Sequence, residues 1–149
     1  MANLTITLTE ALALGDGSTE RGTTNIQTVT VDEVDSRIMD IGATYVNILN
    51  FGAANAAGTF ANATTKYLRI TNLHASAFIT VRVVQADAEY FVKIEPEDHF
   101  LLGNSLMDAH EDGDTNIGTG ETLANISSIW AKSSTGTVQL EYFIASASA

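Results

Sequence analysis

The chain has 149 residues, no cysteine and a formal net charge of −11 at pH 7. This length suits a single domain of roughly 100–150 residues, and the absence of cysteine excludes disulfide bonds and thiolate metal sites. The negative charge argues against a nucleic-acid-binding protein, because contact with the phosphate backbone requires clustered lysine and arginine.

The N-terminal segment MANLTITLTEALALG alternates threonine with leucine and isoleucine and has no basic residues at its start. It therefore predicts a strand and not a signal peptide or a membrane span. We expect a protein with no membrane partner that stays in the cytoplasm or leaves the cell without classical secretion, for example by lysis.

Alternation of apolar and polar residues continues along the chain and predicts further strands. The nine predicted strands are Asn3–Leu12, Ile26–Val31, Thr44–Phe51, Tyr67–Leu73, Phe78–Gln85, Glu89–Ile94, His99–Leu102, Ile126–Lys132 and Thr137–Ala145. Segments of turn-forming residues at 86–88 and 133–136 predict short reversals between adjacent strands. Strands at roughly 8–12-residue spacing favour one domain, residues 1–149, folded as an all-β antiparallel sandwich that is jelly-roll-like with minimal helix.

Two stretches depart from this alternation. Gly52–Thr65 is rich in small residues and is predicted to be a long loop, a type of segment that is often functional or forms an interface. Gly103–Thr122 is also predicted to be loop, with one helical turn near Ser105–Ala109. The predicted core contains Leu4, Ile6, Leu8, Leu68, Ile70, Ile79, Val81, Val83, Tyr90, Val92, Ile94, Phe100, Leu102, Val138, Leu140, Tyr142 and Ile144.

Some predicted strands are apolar on both faces, which a single sandwich does not explain. Trp130 points opposite to Ile129, and Phe143 lies opposite the predicted core face of its strand. Loops or another protein chain must cover this second face, and the sequence leaves both alternatives open. Trp130 and Phe143 are therefore interface candidates, although a lone tryptophan on a sandwich strand is more often in the core.

Charge is unevenly distributed along the chain. Residues 41–86 contain three bases, Lys66, Arg69 and Arg82, and no acid, whereas residues 87–121 contain ten acids and one base. The acidic residues have two interpretations: solvation of loops, or docking to a complementary surface. Under the second interpretation the three bases are interface candidates, with acids from 87–121 of the same or a neighbouring chain as their partners.

The acidic segment 108–116 has the sequence DAHEDGDTN, with carboxylates at alternating positions and a glycine at the sixth, which is similar to the start of a calcium-binding loop. Its candidate metal ligands are Asp108, Asp112, Asp114 and Asn116. The segment has a histidine where an oxygen ligand is expected and lacks the final bidentate glutamate. We therefore favour a solvated acidic loop and expect no cofactor.

No catalytic motif is present, and we do not expect an enzyme. Asp98, His99 and Ser105 supply the residue types of a hydrolytic triad, but Ser105 does not lie in a nucleophile elbow. A host-glycan-binding, lectin-like module is an open alternative, in which Trp130 and Tyr45 form a platform for stacking sugar rings or a calcium ion in the 108–116 loop contacts the glycan.

The run LRITNLHASAFITVRVVQADAEYFVKIEPEDHFLLG and the later run ISSIWAKSSTGTVQLEYFIAS resemble small virion structural proteins of tailed bacteriophages, particularly those of marine and cyanobacterial hosts. The resemblance covers roughly residues 66–145 and includes the ITN strand, the YFV hairpin and the terminal EYFIA strand. It implies a capsid decoration (cement) protein, or otherwise a tail or fibre component. It further implies a homotrimer bound to the major capsid protein on the outer capsid surface after synthesis in the host cytoplasm, and it supplies no catalytic residues.

Overall fold

The computed structural model describes residues 2–12, 15, 21–85, 88–103, 106–107 and 124–147. These residues form strands and connecting loops, with no helix among them. The strands are β1 (Ala2–Leu12), β2 (Arg21–Val31), β3 (Glu33–Ile41), β4 (Val46–Gly52), β5 (Thr59–Ala61), β6 (Thr65–Asn72), β7 (Ile79–Gln85), β8 (Glu89–Ile94), β9 (His99–Leu102), β10 (Leu106–Met107), β11 (Ala124–Ser133) and β12 (Val138–Ser146).

Two packed sheets form the body of the molecule. The four-stranded sheet has the order β3-β12-β6-β9, and the six-stranded sheet has the order β5-β4-β11-β7-β8, with β10 also paired to β11. The antiparallel pairs are nested in the chain: β3 pairs with β12, β4 with β11, β6 with β9, and β7 with β8. Successive pairs alternate between the two sheets, which is the arrangement of a long antiparallel ribbon rolled into a jelly roll. The predicted jelly-roll-like sandwich is therefore confirmed.

The facing sides of the two sheets share one apolar core. Its largest fully buried side chains are aliphatic: Ile41, Leu68, Ile70, Ile79, Ile94, Ile126, Ile129, Leu140, Ile144, Val81, Val83 and Val138. Burial of one such side chain contributes about 1.5–3 kcal/mol. The core prediction from Leu68 onward is confirmed in register, with Tyr90, Val92, Phe100 and Leu102 partly buried against this cluster.

The first two strands form a hairpin outside the sandwich. β1 and β2 pair antiparallel along all eleven residues of each strand, and in the described residues neither joins the two sheets. We call these residues, 2–12 and 21–31, the hairpin arm. The prediction that Leu4, Ile6 and Leu8 belong to the core is wrong, because the arm lies outside the two packed sheets and leaves Leu8 45% exposed.

The edge strand β3 was not among the predicted strands, and its sequence explains the omission. Asp35 and Arg37 occupy the register that faces the interior, while Val34 and Ile38 face outward. This reversal of the usual pattern is possible because Asp35 and Arg37 lie toward one end of the sandwich, where neither side chain is fully buried.

Three connections differ from their predictions. The small-residue loop Gly52–Thr65 contains the short strand β5, which pairs parallel with β4. Leu106–Met107, inside the predicted helical turn, is a strand paired with β11, and Ser105 and residues 108–109 lie outside the described residues. The Ser133–Gly136 reversal joins strands of different sheets, with Gly136 at a φ of 53° that glycine adopts without steric cost.

A buried asparagine holds the loops at one end of the jelly roll together. Asn72 is fully buried, and its Nδ2 donates to the carbonyl oxygens of Ala77 at 2.8 Å, Glu95 at 3.0 Å and Ile94 at 3.3 Å. Its Oδ1 accepts a hydrogen bond from the backbone N–H of His74 at 3.1 Å. One side chain thus satisfies backbone groups from two separate connections.

Candidate interaction surfaces

The hairpin arm lies over the outer side of the four-stranded sheet and is only loosely packed against it. A cleft of about 490 Å³ separates them, lined by Ile6 and Leu8 of the arm and by Tyr67, Arg69 and Leu101 of the sheet, among others. A second cleft, of about 270 Å³, shares Ile6, Leu8, Tyr67 and Leu101. Apolar side chains therefore face each other across a gap.

The hairpin arm has two chemically different faces. Residues paired across an antiparallel hairpin place their side chains on the same face, and Leu4 pairs with Val29 while Thr5 pairs with Thr28. One face therefore carries mostly apolar residues: Leu4, Ile6, Leu8, Leu12, Val29 and Val31. The other carries mainly threonine: Thr5, Thr7, Thr9, Thr24, Thr28 and Thr30. Ile6 and Leu8 of the apolar face line both clefts, together with Thr7 and Thr9 of the other face in the larger cleft and Ile26 in the smaller one.

The outer side of the four-stranded sheet also carries exposed apolar side chains. Ile38 is 58% exposed and Leu101 is 40% exposed, and Val34 is exposed beside them on β3. Phe143, an interface candidate from the sequence, lies half-buried on this side with its ring centroid 6.0 Å from that of Tyr67. Such a surface is typical of one that is covered by another protein chain or segment.

An ion pair crosses the same surface. Arg69 Nη2 donates to Glu141 Oε2 at 2.7 Å, so within the chain the acid that pairs with Arg69 comes from β12 and not, as predicted, from residues 87–121. Arg69 Nε is buried and has no hydrogen-bond partner among the described residues. Lys66 is exposed near the start of the same strand.

The outer side of the six-stranded sheet carries aromatic and basic residues next to one another. Trp130 on β11 pairs in register with Arg82 on β7, and Arg82 pairs in register with Phe91 on β8. Trp130 is half-buried, outside the core, and its Nε1 donates to Ser128 Oγ at 2.9 Å. Arg82 forms an ion pair with Glu89, as expected for a partner from residues 87–121 of the same chain.

Two further aromatic rings extend this surface. The ring of Tyr45 lies 6.3 Å from that of Phe91, centroid to centroid, and the ammonium of Lys132 lies 4.8 Å from the centroid of Tyr45. Lys93 Nζ lies 4.5 Å from the centroid of Phe78. We call these aromatic residues and the bases beside them the aromatic surface: Tyr45, Phe78, Phe91, Trp130, Arg82, Lys93 and Lys132.

The candidate catalytic and metal residues are only partly within the described structure. His99 Nδ1 lies 3.7 Å from Asp98 Oδ1, but Ser105 lies outside the described residues. The four candidate calcium ligands, Asp108, Asp112, Asp114 and Asn116, also lie outside them. Within the described ranges, no group of three or more His, Asp or Glu side chains is arranged to hold a metal ion.

A buried tyrosine connects the edge strand β3 to the body. Tyr142 Oη donates to Asp35 Oδ2 at 2.8 Å. Burial raises the pKa of Tyr142 to about 12, and the hydrogen bond and charge of Asp35 act in the same direction while Arg37 opposes them. This bond fixes the strand from which the hairpin arm extends.

Several exposed residues were missed at the level of sequence. Phe91 lies between the predicted core residues Tyr90 and Val92, so the alternation predicts that its side chain faces away from the core. A large aromatic residue at such a position was the signal that could have identified it as an interface candidate. Ile38 gave no such signal, because the strand that contains it was not predicted.

No helix with the length and apolarity needed to cross a bilayer occurs in the part of the chain that the structure describes. Comparison with protein-family models, with curated proteins and with solved structures finds no match to this chain.

Proposed function

We propose that the chain is a non-catalytic structural subunit of a phage particle, a capsid decoration protein that binds the outer surface of the shell. The observation that carries this proposal is the exposure of large apolar side chains on the outer sides of both sheets and on the hairpin arm. Double-sheet jelly rolls recur in viral capsid proteins, and the resemblance of residues 66–145 to phage virion proteins supports the same assignment.

The function would be mechanical. Each subunit would contact neighbouring shell proteins through the outer sides of its two sheets and so link them. The binding energies of many weak interfaces would combine by multivalency and help the shell to resist internal pressure. A stable interface of this kind buries roughly 1,200–2,000 Å². The resemblance alone supports a homotrimer and the major capsid protein as the partner.

The apolar surfaces, more than the bases, are the proposed contacts. Arg69 and Arg82 already pair with Glu141 and Glu89 of their own chain, so neither is a free positive charge. Phe143 and Trp130 lie on the outer sides of the two sheets, where a partner can reach them. Lys66 is exposed and remains a candidate for contact with an acidic partner.

The test combines mass measurement in solution with co-sedimentation on capsids that lack the protein. We expect a defined oligomer that binds the shell, and we expect Ile38→Asp to weaken binding at least tenfold by placing a charge in an apolar contact. Ser134→Asp adds the same charge at an exposed turn and is the matched control. A chain that stays monomeric at high concentration and does not sediment with capsids contradicts the proposal.

The aromatic surface favours glycan binding as a second candidate function. Phe91 is exposed, and the rings of Tyr45 and Trp130 lie on the same side of the sheet, an arrangement on which sugar rings can stack. Titration with neutral oligosaccharides, followed by tryptophan fluorescence, tests this candidate. Saturable binding that Phe91→Ala abolishes, in a chain with no affinity for capsids, would favour it over the structural role.

The proposal also predicts no catalysis and no metal requirement. We expect no turnover in a broad hydrolase screen. We also expect the same melting temperature with and without a chelator, since the 108–116 segment is interpreted as a solvated acidic loop. A drop in melting temperature on chelation, absent in Asp112→Ala and Asp114→Ala, would instead show that calcium binds there.

A further inference from the structure

We propose that the hairpin arm docks on the four-stranded sheet of a second copy of this chain, so that copies are joined by exchanged arms. The proposal rests on the proposed function in that a structural subunit must join its copies, and it names the segment that does so. Four features of the molecule support it: the length of the arm, its poor fit in its own chain, its short connection to the body and its low charge.

The arm is long and needs a surface to pack against. Eleven residues per strand extend about 37 Å at 3.4 Å per residue. An isolated two-stranded hairpin is at best marginally stable in water. The arm therefore requires a partner for its apolar face, which carries Leu4, Ile6 and Leu8.

Its own sheet provides that partner only in part. Clefts of about 490 and 270 Å³ separate the arm from the sheet, and Leu8 and Leu101, which line both, stay exposed on opposite sides of the gap. Arg69 Nε, in the floor of the larger cleft, is buried with no acceptor in the described residues. A more closely seated strand would fill the gap and bring backbone carbonyl oxygens within reach of that nitrogen.

The connection between arm and body explains why the arm does not seat more closely on its own chain. Asp32 is the single residue between β2 and β3, and its backbone N–H donates to the carbonyl oxygen of Ser146 at 2.9 Å. Val31, next to it, is buried. The base of the arm is therefore held at the edge of the sheet, and short hinges of this kind favour exchange of a segment between copies.

The charge of the arm suits a second copy as the partner. The whole chain has a net charge of −11, whereas the arm contains one acid, Glu10, and one base, Arg21, and so has no net charge. Like-charged copies repel one another, so contact through the nearly uncharged arm brings two acidic chains together at low electrostatic cost. On the surface that receives the arm, Arg69 forms an ion pair with Glu141 of its own chain.

Disulfide trapping in the full-length protein tests the exchange directly, because the chain has no cysteine of its own. Leu8→Cys places a thiol on the apolar face of the arm, and Leu101→Cys places one on the sheet. The two single variants are purified, mixed under reducing conditions and then oxidised. Thr5→Cys, on the threonine face of the same strand, replaces Leu8→Cys in the control mixture, and each variant oxidised alone controls for links between identical positions.

We expect the mixture of Leu8→Cys and Leu101→Cys to give a cross-linked product of twice the chain mass, at least fivefold more abundant than in the control mixture. The Leu8→Cys/Leu101→Cys double variant should then form covalent chains of several copies. An intramolecular link in the double variant, with no cross-link in the mixture, would overturn exchange, as would the absence of any link. Capsid co-sedimentation of the unmodified protein is measured separately, so failure of exchange and failure of the structural role are distinguishable.

Discussion

The hairpin arm and the jelly-roll body are built from strands with the same alternation of apolar and polar residues, but they bury these residues to very different degrees. Ile144 on β12 is 0% exposed, whereas Ile26 on β2 is 68% exposed. β12 has a hydrogen-bonded neighbour on each edge and a second sheet against its face. β2 has one neighbour, β1, in the described residues. The contrast shows that burial depends on how many elements surround a strand and not on the pattern of the strand alone.

Because of this difference, we expect the body residues to determine the stability of one chain and the arm residues to determine contacts between chains. In the body, apolar side chains already contribute to the folded state of one chain, so their removal should lower the free energy of unfolding. In the arm, the same kinds of side chain remain available for contacts between chains. The following predictions test this division, from the largest expected effect to the smallest.

A matched pair of isoleucine substitutions gives the largest contrast. Ile144→Ala removes a fully buried side chain and leaves a cavity, so it should lower the free energy of unfolding by about 2–4 kcal/mol. Ile26→Ala removes an exposed side chain from the threonine face of the arm and should cost under about 0.5 kcal/mol. Urea denaturation of both variants measures the two values, and equal losses would contradict the division between body and arm.

The strands of the body could be predicted from the sequence for a clear physical reason. Val81, Leu140 and their neighbours alternate strictly because one face of each strand meets a sheet and the other meets solvent. The same argument failed for Leu4, Ile6 and Leu8, since alternation reports that a strand has an apolar face but not what covers it. The strand β3 was not predicted, because Asp35 and Arg37 occupy positions on it that face the interior, at an open end of the sandwich.

The interaction surfaces were less predictable than the fold. Phe143 and Trp130 could be identified because each opposes a core residue on its strand. The residues that surround them could not be identified from the sequence, because these neighbours depend on the order of strands in the sheet. Arg82 and Phe91 lie beside Trp130 because β11, β7 and β8 are neighbouring strands. Likewise the pairing of Arg69 with Glu141 follows from β6 lying beside β12, which no local pattern encodes.

A matched pair of asparagine substitutions tests the polar interior of the body. Asn72→Ala leaves the carbonyl oxygens of Ala77, Ile94 and Glu95 without their shared donor and should cost about 1–3 kcal/mol, the range for buried polar groups that lose their partner. Asn47 donates to Asn50 on an exposed part of β4 at 2.9 Å, so Asn47→Ala should cost under about 0.5 kcal/mol. If thermal or urea denaturation shows Asn72→Ala to be as mild as Asn47→Ala, the loops do not depend on this side chain.

The attachment of β3 to the body should depend on alkaline pH. The pKa of Tyr142 is raised to about 12, against about 10 for an unfolded tyrosine, so the folded protein holds this proton more tightly. The contribution of this tyrosine to the free energy of unfolding is fully present below pH 10 and is lost as the pH rises from about 10 to about 12. Urea denaturation at pH 9, 10 and 11 should therefore show a steeper decline for the natural protein than for Tyr142→Phe.

The decline should not vanish in that variant, since burial also raises the pKa of Tyr90. The double variant Tyr90→Phe/Tyr142→Phe should be flatter still. At neutral pH, Tyr142→Phe should cost about 1 kcal/mol through loss of the hydrogen bond to Asp35. An identical pH dependence in the natural protein and the double variant would show that these two hydroxyls do not control alkaline stability.

The smallest expected effect concerns the ion pair of Arg82 with Glu89, within the aromatic surface. Both side chains are about one-third exposed, at 34% and 38%, and pairs in contact with solvent contribute about 0–1 kcal/mol. A double-mutant cycle of Arg82→Ala and Glu89→Ala separates the charge interaction from the packing of Arg82 beside Trp130 and Phe91. We expect a coupling energy of about 0.5 kcal/mol in 0.1 M salt that falls toward zero in 1 M salt, because the screening length shortens from about 10 to about 3 Å. A larger coupling energy that salt does not reduce would mean that water is excluded from this ion pair in the assembled protein. That result would indicate that the aromatic surface, like the arm, contributes to the contacts between copies.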